Sequence, residues 1–213
     1  MSASANIKIH KSIGRLHTEG LSSTRQAELA VNLNSGDVPG DAEALLAFLS
    51  SYLLDSARVL KSGETLAYGY WLLKFIDAGD GVLIAHEYNA EATEFIAGAS
   101  FAMGCWREQH LLCGRCSATF SPPRPDRLTV VDPAVFDGHP VQGVRYPSPD
   151  TMSGWWITTD KFNGDTKTLK HEHTYHLTAH RPDLAKFLAL PVGFRFDLTS
   201  VEDVWFDSNV AKS

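Results

Sequence analysis

The chain has 213 residues, 44% of them hydrophobic and 21% charged, with a net charge of −6 and a pI near 5.8. That length and balance suit one large or two small globular domains. They argue against a nucleic-acid partner, which needs a basic face, and no apolar run reaches the roughly 18 residues of a membrane span.

The residues from Met1 to Asn6 lack the basic and apolar blocks of a secretory leader. Three cysteines, an odd number, do not make a disulfide framework in a chain this long. The expected compartment is the reducing cytoplasm.

Residues 1–24 are polar, with one short strand expected at Ile7–His10. Glu28–Leu33 alternates and predicts a strand, and the Asn34–Gly40 cluster predicts a loop. A helix is expected to start at Asp41 and stop near Leu60, because Ala44, Leu45, Phe48, Leu49, Tyr52 and Leu53 recur at helical spacing. Thr65–Ile76 and Val82–His86 predict strands around the Gly79-Asp80-Gly81 turn. A second long helix is expected over Ala90–Leu112, with Phe95, Ala99, Ala102, Met103 and Trp106 as its apolar stripe and Gly114 as its C-cap. The order β-α-β-β-α over residues 1–120 predicts an α+β, two-layer part with helices on a sheet.

Seven of the ten prolines fall between Pro122 and Pro149, so residues 121–150 are expected to connect two parts, as a linker or as a loop wrapped on the surface, with one short strand at Leu128–Val131. Residues 151–213 predict a smaller mixed α+β part. Its strands are expected at Trp155–Thr159, Thr168–Leu177, Phe194–Leu198 and Glu202–Phe206, with a helix around Pro182–Leu190 ended by Pro191.

Chemistry-bearing residues concentrate in this last part. His171 and His173 stand at i and i+2 of a predicted strand, so they share a face and could ligate one zinc with Asp160, Asp165 or His180 as a third ligand. That arrangement would support a metal-dependent hydrolase. The same face carries Leu169 and Leu177, which also suits half-buried histidines held by hydrogen bonds. Cys105, His110, Cys113 and Cys116 supply soft ligands enough for a structural zinc, but Cys105 and His110 fall within one predicted helix on diverging faces. Reduced, partly buried thiols are the simpler account. No nucleophile elbow, His-Glu-x-x-His or phosphate-cradling glycine loop is present.

Trp155 and Trp156 are neighbours on a predicted strand and so face opposite ways; one can fill the core while the other anchors a partner. Asp160, Asp165, Glu172, Asp197, Glu202, Asp203 and Asp207 give the segment an acidic tone that would suit a basic protein partner.

Several of these residues also carry a family resemblance. Ser153-Gly154-Trp155-Trp156, Asn163-Gly164-Asp165, Glu172-His173, His176-Leu177, Arg181-Pro182-Asp183-Leu184 and Leu190-Pro191-Val192-Gly193-Phe194-Arg195-Phe196 resemble the bacterial immunity protein family numbered thirty-three, over roughly residues 145–207. The resemblance implies an antitoxin that binds the catalytic domain of a secreted polymorphic toxin and catalyses nothing. The expectation is therefore a cytoplasmic, non-enzymatic immunity protein without cofactor or metal, forming a 1:1 complex with its toxin and contacting neither nucleic acid nor membrane. Its partner-binding candidates are Trp155, Trp156, Asp160, Asp165, Glu172 and His176.

Overall fold

The computed structural model describes residues 7–212; the N-terminal stretch read for a leader, residues 1–6, lies outside them. The fold is α+β with two sheets, and the chain separates into two compact units. One comprises residues 1–89 and 93–107, the other residues 90–92 and 108–213.

In the first unit, strands β1 (Lys8–Ser12), β2 (Arg15–Glu19), β3 (Glu28–Asn32), β4 (Thr65–Tyr68), β5 (Trp71–Asp77), β6 (Val82–Tyr88) and β7 (Phe95–Ala97) form a sheet in the order β1-β2-β3-β6-β5-β4, with β7 beside the end of β6. Only β3 and β6 run parallel. Helix α1 (Ser22–Arg25) is a single turn, and α2 (Pro39–Asp55) packs on β1, β2 and β3. The stripe Ala42, Leu45, Leu46, Leu49 and Leu53 is fully buried, as helical spacing demands. This helix starts at Pro39, whose fixed φ suits the first turn, and ends at Asp55 rather than near Leu60.

The segment expected as helix from Ala90 differs more. It forms a turn, then β7, and helix α3 begins only at Ser100 and runs to Arg115. The cause is a distant side chain. The buried Glu87 carboxylate on β6 accepts the N–H groups of Phe101 (3.0 Å) and Ala102 (2.7 Å), which would otherwise be unsatisfied at the helix start. Burial, the largest influence, raises the Glu87 pKa, and these two N–H groups oppose the rise without cancelling it. Gly114 lies within the helix, and the left-handed residue that closes it is Ser117, at φ 52°.

Strand β2 and the loop after it are held by another acid. Glu28 accepts from the Thr18 hydroxyl (2.6 Å) and from the N–H groups of Gly20 (2.9 Å), Leu21 (3.2 Å) and Ser22 (2.9 Å). Burial works to raise its pKa, but the hydrogen bonds from Thr18, Ser22 and Leu21 together hold it below the ordinary 4.5. A folded-state pKa below the unfolded one adds stability that is present above pH 4.5 and fades as pH falls through the folded value. Glu28→Gln is expected to cost about 2 kcal/mol at neutral pH, since it unpairs several donors. Urea melts across pH 3–8 should show the difference from the parent chain shrinking in acid.

In the second unit, strands β8 (Leu128–Val131), β9 (Val141–Arg145), β10 (Met152–Thr159), β11 (Lys170–His173), β12 (Phe194–Asp197) and β13 (Asp203–Phe206) form a sheet in the order β11-β8-β10-β9-β12-β13, with only β8 and β10 parallel. The proline-rich residues 121–150, expected to connect two parts, supply β8 and β9, the two neighbours of the central strand. The prolines lie outside the strands, before β8 and between β8, β9 and β10, where a missing N–H costs no ladder bond.

The expected strand Thr168–Leu177 stops at His173, and Thr174–His180 form helix α4. Thr174, Leu177 and Thr178 are buried at helical spacing, and Thr174 donates its N–H to Arg127 O (2.9 Å), which turns the chain off the sheet edge. The helix expected around Pro182–Leu190 forms over Pro182–Phe187, as a 3-10 helix.

One face of this sheet is covered by α4, the 3-10 helix and the end of α3. Trp155, Ile157, Leu177, Leu184, Phe187, Leu188 and Phe196 are all buried, Phe187 stacks on Phe196, and Gln109 donates to Ala185 O (2.8 Å). Gly143 lies opposite Phe196 across the β9–β12 ladder, and a Cβ at that position would overlap the Phe196 ring. That ring is stacked on Phe187 (4.4 Å) and tilted against Trp155 (5.4 Å), so it has nowhere to move. Gly143→Ala is therefore expected to destabilise the fold by about 3 kcal/mol, the cost of overpacking a filled core, read as a lower urea midpoint at unchanged slope.

Candidate partner-binding surface

The other face of the second sheet carries two exposed tryptophans. Residues paired across a sheet point to the same side, and the ladders align one row over all six strands: His171, Val130, Trp156, Val144, Arg195 and Trp205. Trp156 and Trp205 are each 37% exposed, His171 is exposed, Val144 and Arg195 are half-buried, and Val130, between His171 and Trp156, is buried. The two tryptophans stand three strands apart, about 14 Å at ordinary strand spacing. Tyr146 meets Trp156 edge to face at 5.9 Å.

The next row, Thr158, Gln142, Asp197 and Asp203, is polar and acidic. Asp203 is exposed and Asp197 half-buried. Arg195, the one cation in the aromatic row, is paired with Asp207 at 3.3 Å. The face thus combines a central apolar band with an acidic flank.

A register shift in β10 between Met152 and Trp156 decides which tryptophan faces out. Gly154 lies in it at φ +82°, a conformation side chains rarely adopt, and a Cβ there would sit 2.5 Å from Tyr146 O. The bulge turns Trp155 inward, where it is fully buried and donates its indole N–H to Leu188 O (3.2 Å).

The hairpin carrying Trp205 is tied down by Glu202, which accepts from Lys186 (2.6 Å) and Arg115 (2.5 Å). The hydrogen bonds from Lys186 and then Arg115 hold its carboxyl below the ordinary value. A fixed hairpin gives Trp205 a rigid seat, which lowers the ordering cost of binding.

Of the residues expected to bind a partner, only Trp156 lies in the exposed row. Trp155 belongs to the core and is corrected out of the set. Glu172 alternates to the opposite side of β11 and approaches His176 of α4 at 3.7 Å, so this pair sits away from Trp156. Asp160 follows the end of β10, exposed beside His139 and Lys161. Asp165 caps a 3-10 turn by accepting the Lys167 N–H (3.0 Å).

Val144, Arg195 and Trp205 were not anticipated. The alternation Phe194-Arg195-Phe196-Asp197 carries a period-two signal for Arg195, but only the strand order brings Trp205 and Trp156 into line.

The metal expectations also meet the geometry. His171 and His173 do share a face, as alternation requires. His173 stacks on Tyr175 (5.3 Å), and its Nδ1 lies 3.0 Å from Asp126 O. Cys105 and Cys113 are buried, Cys113 lies 3.7 Å from Ala189 O, and His110 stacks on Phe120 at 3.9 Å. Among the described residues no three His, Cys, Asp or Glu side chains stand together as a metal ion would need. Nor, among them, is any helix long and apolar enough to cross a membrane.

Comparison with known proteins adds one match. Residues 108–207 match the Imm33-like domain, beginning at 108 where the motif resemblance began near 145. No curated protein and no solved structure matches the chain. The exposed row and the core beneath it lie within the matched stretch, and residues 108–207 of this chain are similar to the Imm33-like domain.

Proposed function

We propose that this chain is an immunity protein that neutralises a cognate bacterial toxin by covering the toxin's active surface with the open face of its second sheet. The observation that carries the reading is the row from His171 to Trp205, with one exposed tryptophan on the central strand β10 and another on the edge strand β13. Tryptophan leads among residues that dominate binding energy. A closed protein core has no need to leave two of them facing outward from one sheet. The acidic flank at Asp197 and Asp203, with the net charge of −6, suits a basic toxin surface.

On this reading the protein acts in the cytoplasm by binding alone, one copy per toxin, with no catalytic step, cofactor, nucleic acid or membrane. No observation favours the hydrolase alternative built on His171 and His173.

The test is co-expression with the toxin encoded beside it. Protection of the cells and a 1:1 complex on size exclusion are expected. Death of cells co-expressing this chain with every neighbouring toxin would overturn the proposal.

A further inference from the structure

The second unit holds a buried cation without a counter-charge. Arg145, only 7% exposed, lies opposite Trp155 on the core side of the sheet. Its Nε donates to Ser153 O (3.1 Å), and its Nη1 to the carbonyls of Ser121 (2.5 Å), Leu190 (2.5 Å) and Leu188 (3.3 Å). Its Nη2 has no acceptor and it makes no ion pair among the described residues. Burial pushes its pKa down to about 10, partly offset by the Cys113 thiol, which leaves it charged at neutral pH. Buried charges are ordinarily paired, because removing them from water is costly.

Arg145 also lines a cavity of about 260 Å³, together with Arg124, Arg127, Ser148, Asp150 and Ser153. Gly154 leaves room for this, since a Cβ there would meet Arg145 Cγ at 3.3 Å and Ser148 Oγ at 3.2 Å. Arg124 is already held by Asp126 in a two-bond fork (3.0 and 2.8 Å). Arg127 and Asp150 make no ion pair among the described residues. The wall therefore carries two guanidinium groups without an ion-pair partner among the described residues, Arg145 with its Nη2 still free, against one carboxylate.

We infer that this cavity is a carboxylate-binding site, with Arg145 Nη2 and the Arg127 guanidinium as its donors. One negative charge balances the wall, and a planar carboxylate fits the donor fork of arginine. Inorganic phosphate, whose dianion makes up about half of it at neutral pH, would crowd its second charge against Asp150. The volume suits a small group, a free short-chain acid or the end of a polypeptide, below the usual range of larger ligand pockets. This inference stands apart from toxin binding and concerns the covered side of the sheet.

Arg145 also ties four carbonyls together, so the test uses the rim. The ¹⁵N-labelled chain is titrated with acetate, phosphate, chloride, and a short peptide as free acid and as amide, at constant ionic strength, following the Arg145 Nε–H and the Gly154 amide. Saturable shifts with acetate or the peptide acid are expected, and none with chloride or the amide. Tighter binding of the peptide acid than of acetate would identify a chain terminus as the source, and the reverse a free acid. Arg127→Gln should weaken acetate about tenfold, and Asp150→Asn should strengthen phosphate severalfold. Linear shifts alike for acetate and chloride, phosphate binding tighter than acetate, or an Arg127→Gln chain that binds acetate unchanged would each overturn the assignment.

Discussion

Trp155→Ala is expected to destabilise the second unit by about 4 kcal/mol, near the upper range for emptying a large buried aromatic site. The indole is fully buried between Phe196 and the guanidinium of Arg145, whose Cζ lies 5.9 Å from its ring centre. Its loss leaves a cavity, removes the cation's aromatic neighbour and unpairs Leu188 O from the ring N–H. Relaxation would be slight, because β10 is paired on both sides. Guanidinium melts would register the loss as a large drop in midpoint. A drop below about 1 kcal/mol would mean that the bulge at Gly154 does not hold the two tryptophans to their sides.

The neighbouring substitution should do the opposite. Trp156→Ala is expected to change stability by less than about 1 kcal/mol, as surface substitutions do, yet to weaken toxin binding about a hundredfold, the scale of a hot-spot aromatic. Trp205→Ala should behave alike through a strand far away in sequence but in the same row. Isothermal titration against the cognate toxin separates the two effects. If both variants bound like the parent chain while Glu172→Ala/His176→Ala lost affinity, the contact would lie on the helical side of the sheet.

Part of this surface was legible in the residues. Adjacent tryptophans on a strand must diverge, so one outward ring near the Ser-Gly-Trp-Trp motif followed from alternation alone. Which ring it is depends on a register shift against β8, a partner strand some twenty-five residues earlier, and no local pattern contains that information. The histidines misled for a related reason. His171, His173 and Tyr175 alternate as a strand would, whereas Thr174, Leu177 and Thr178 repeat as a helix does. The helix won because Arg127 and Pro125 offer carbonyls to the N–H groups of Thr174 and Tyr175 where β11 leaves the sheet.

What the chain's own residues determined is everything governed by near neighbours. Helix α2 follows from its apolar stripe, β3, β6 and β8 from alternation or short apolar runs, the α+β class from their mixture, and the family resemblance from motifs clustered after residue 145. What the tertiary structure decided is everything that needs a partner from elsewhere. The start of α3 waits on Glu87, β2 and its turn on Glu28, and the row from Trp156 to Trp205 on a strand order that sequence order does not follow. The division is physical. Side-chain periodicity and backbone propensity act over a few residues, while satisfying buried hydrogen-bonding groups and pairing strands brings together groups far apart in the chain.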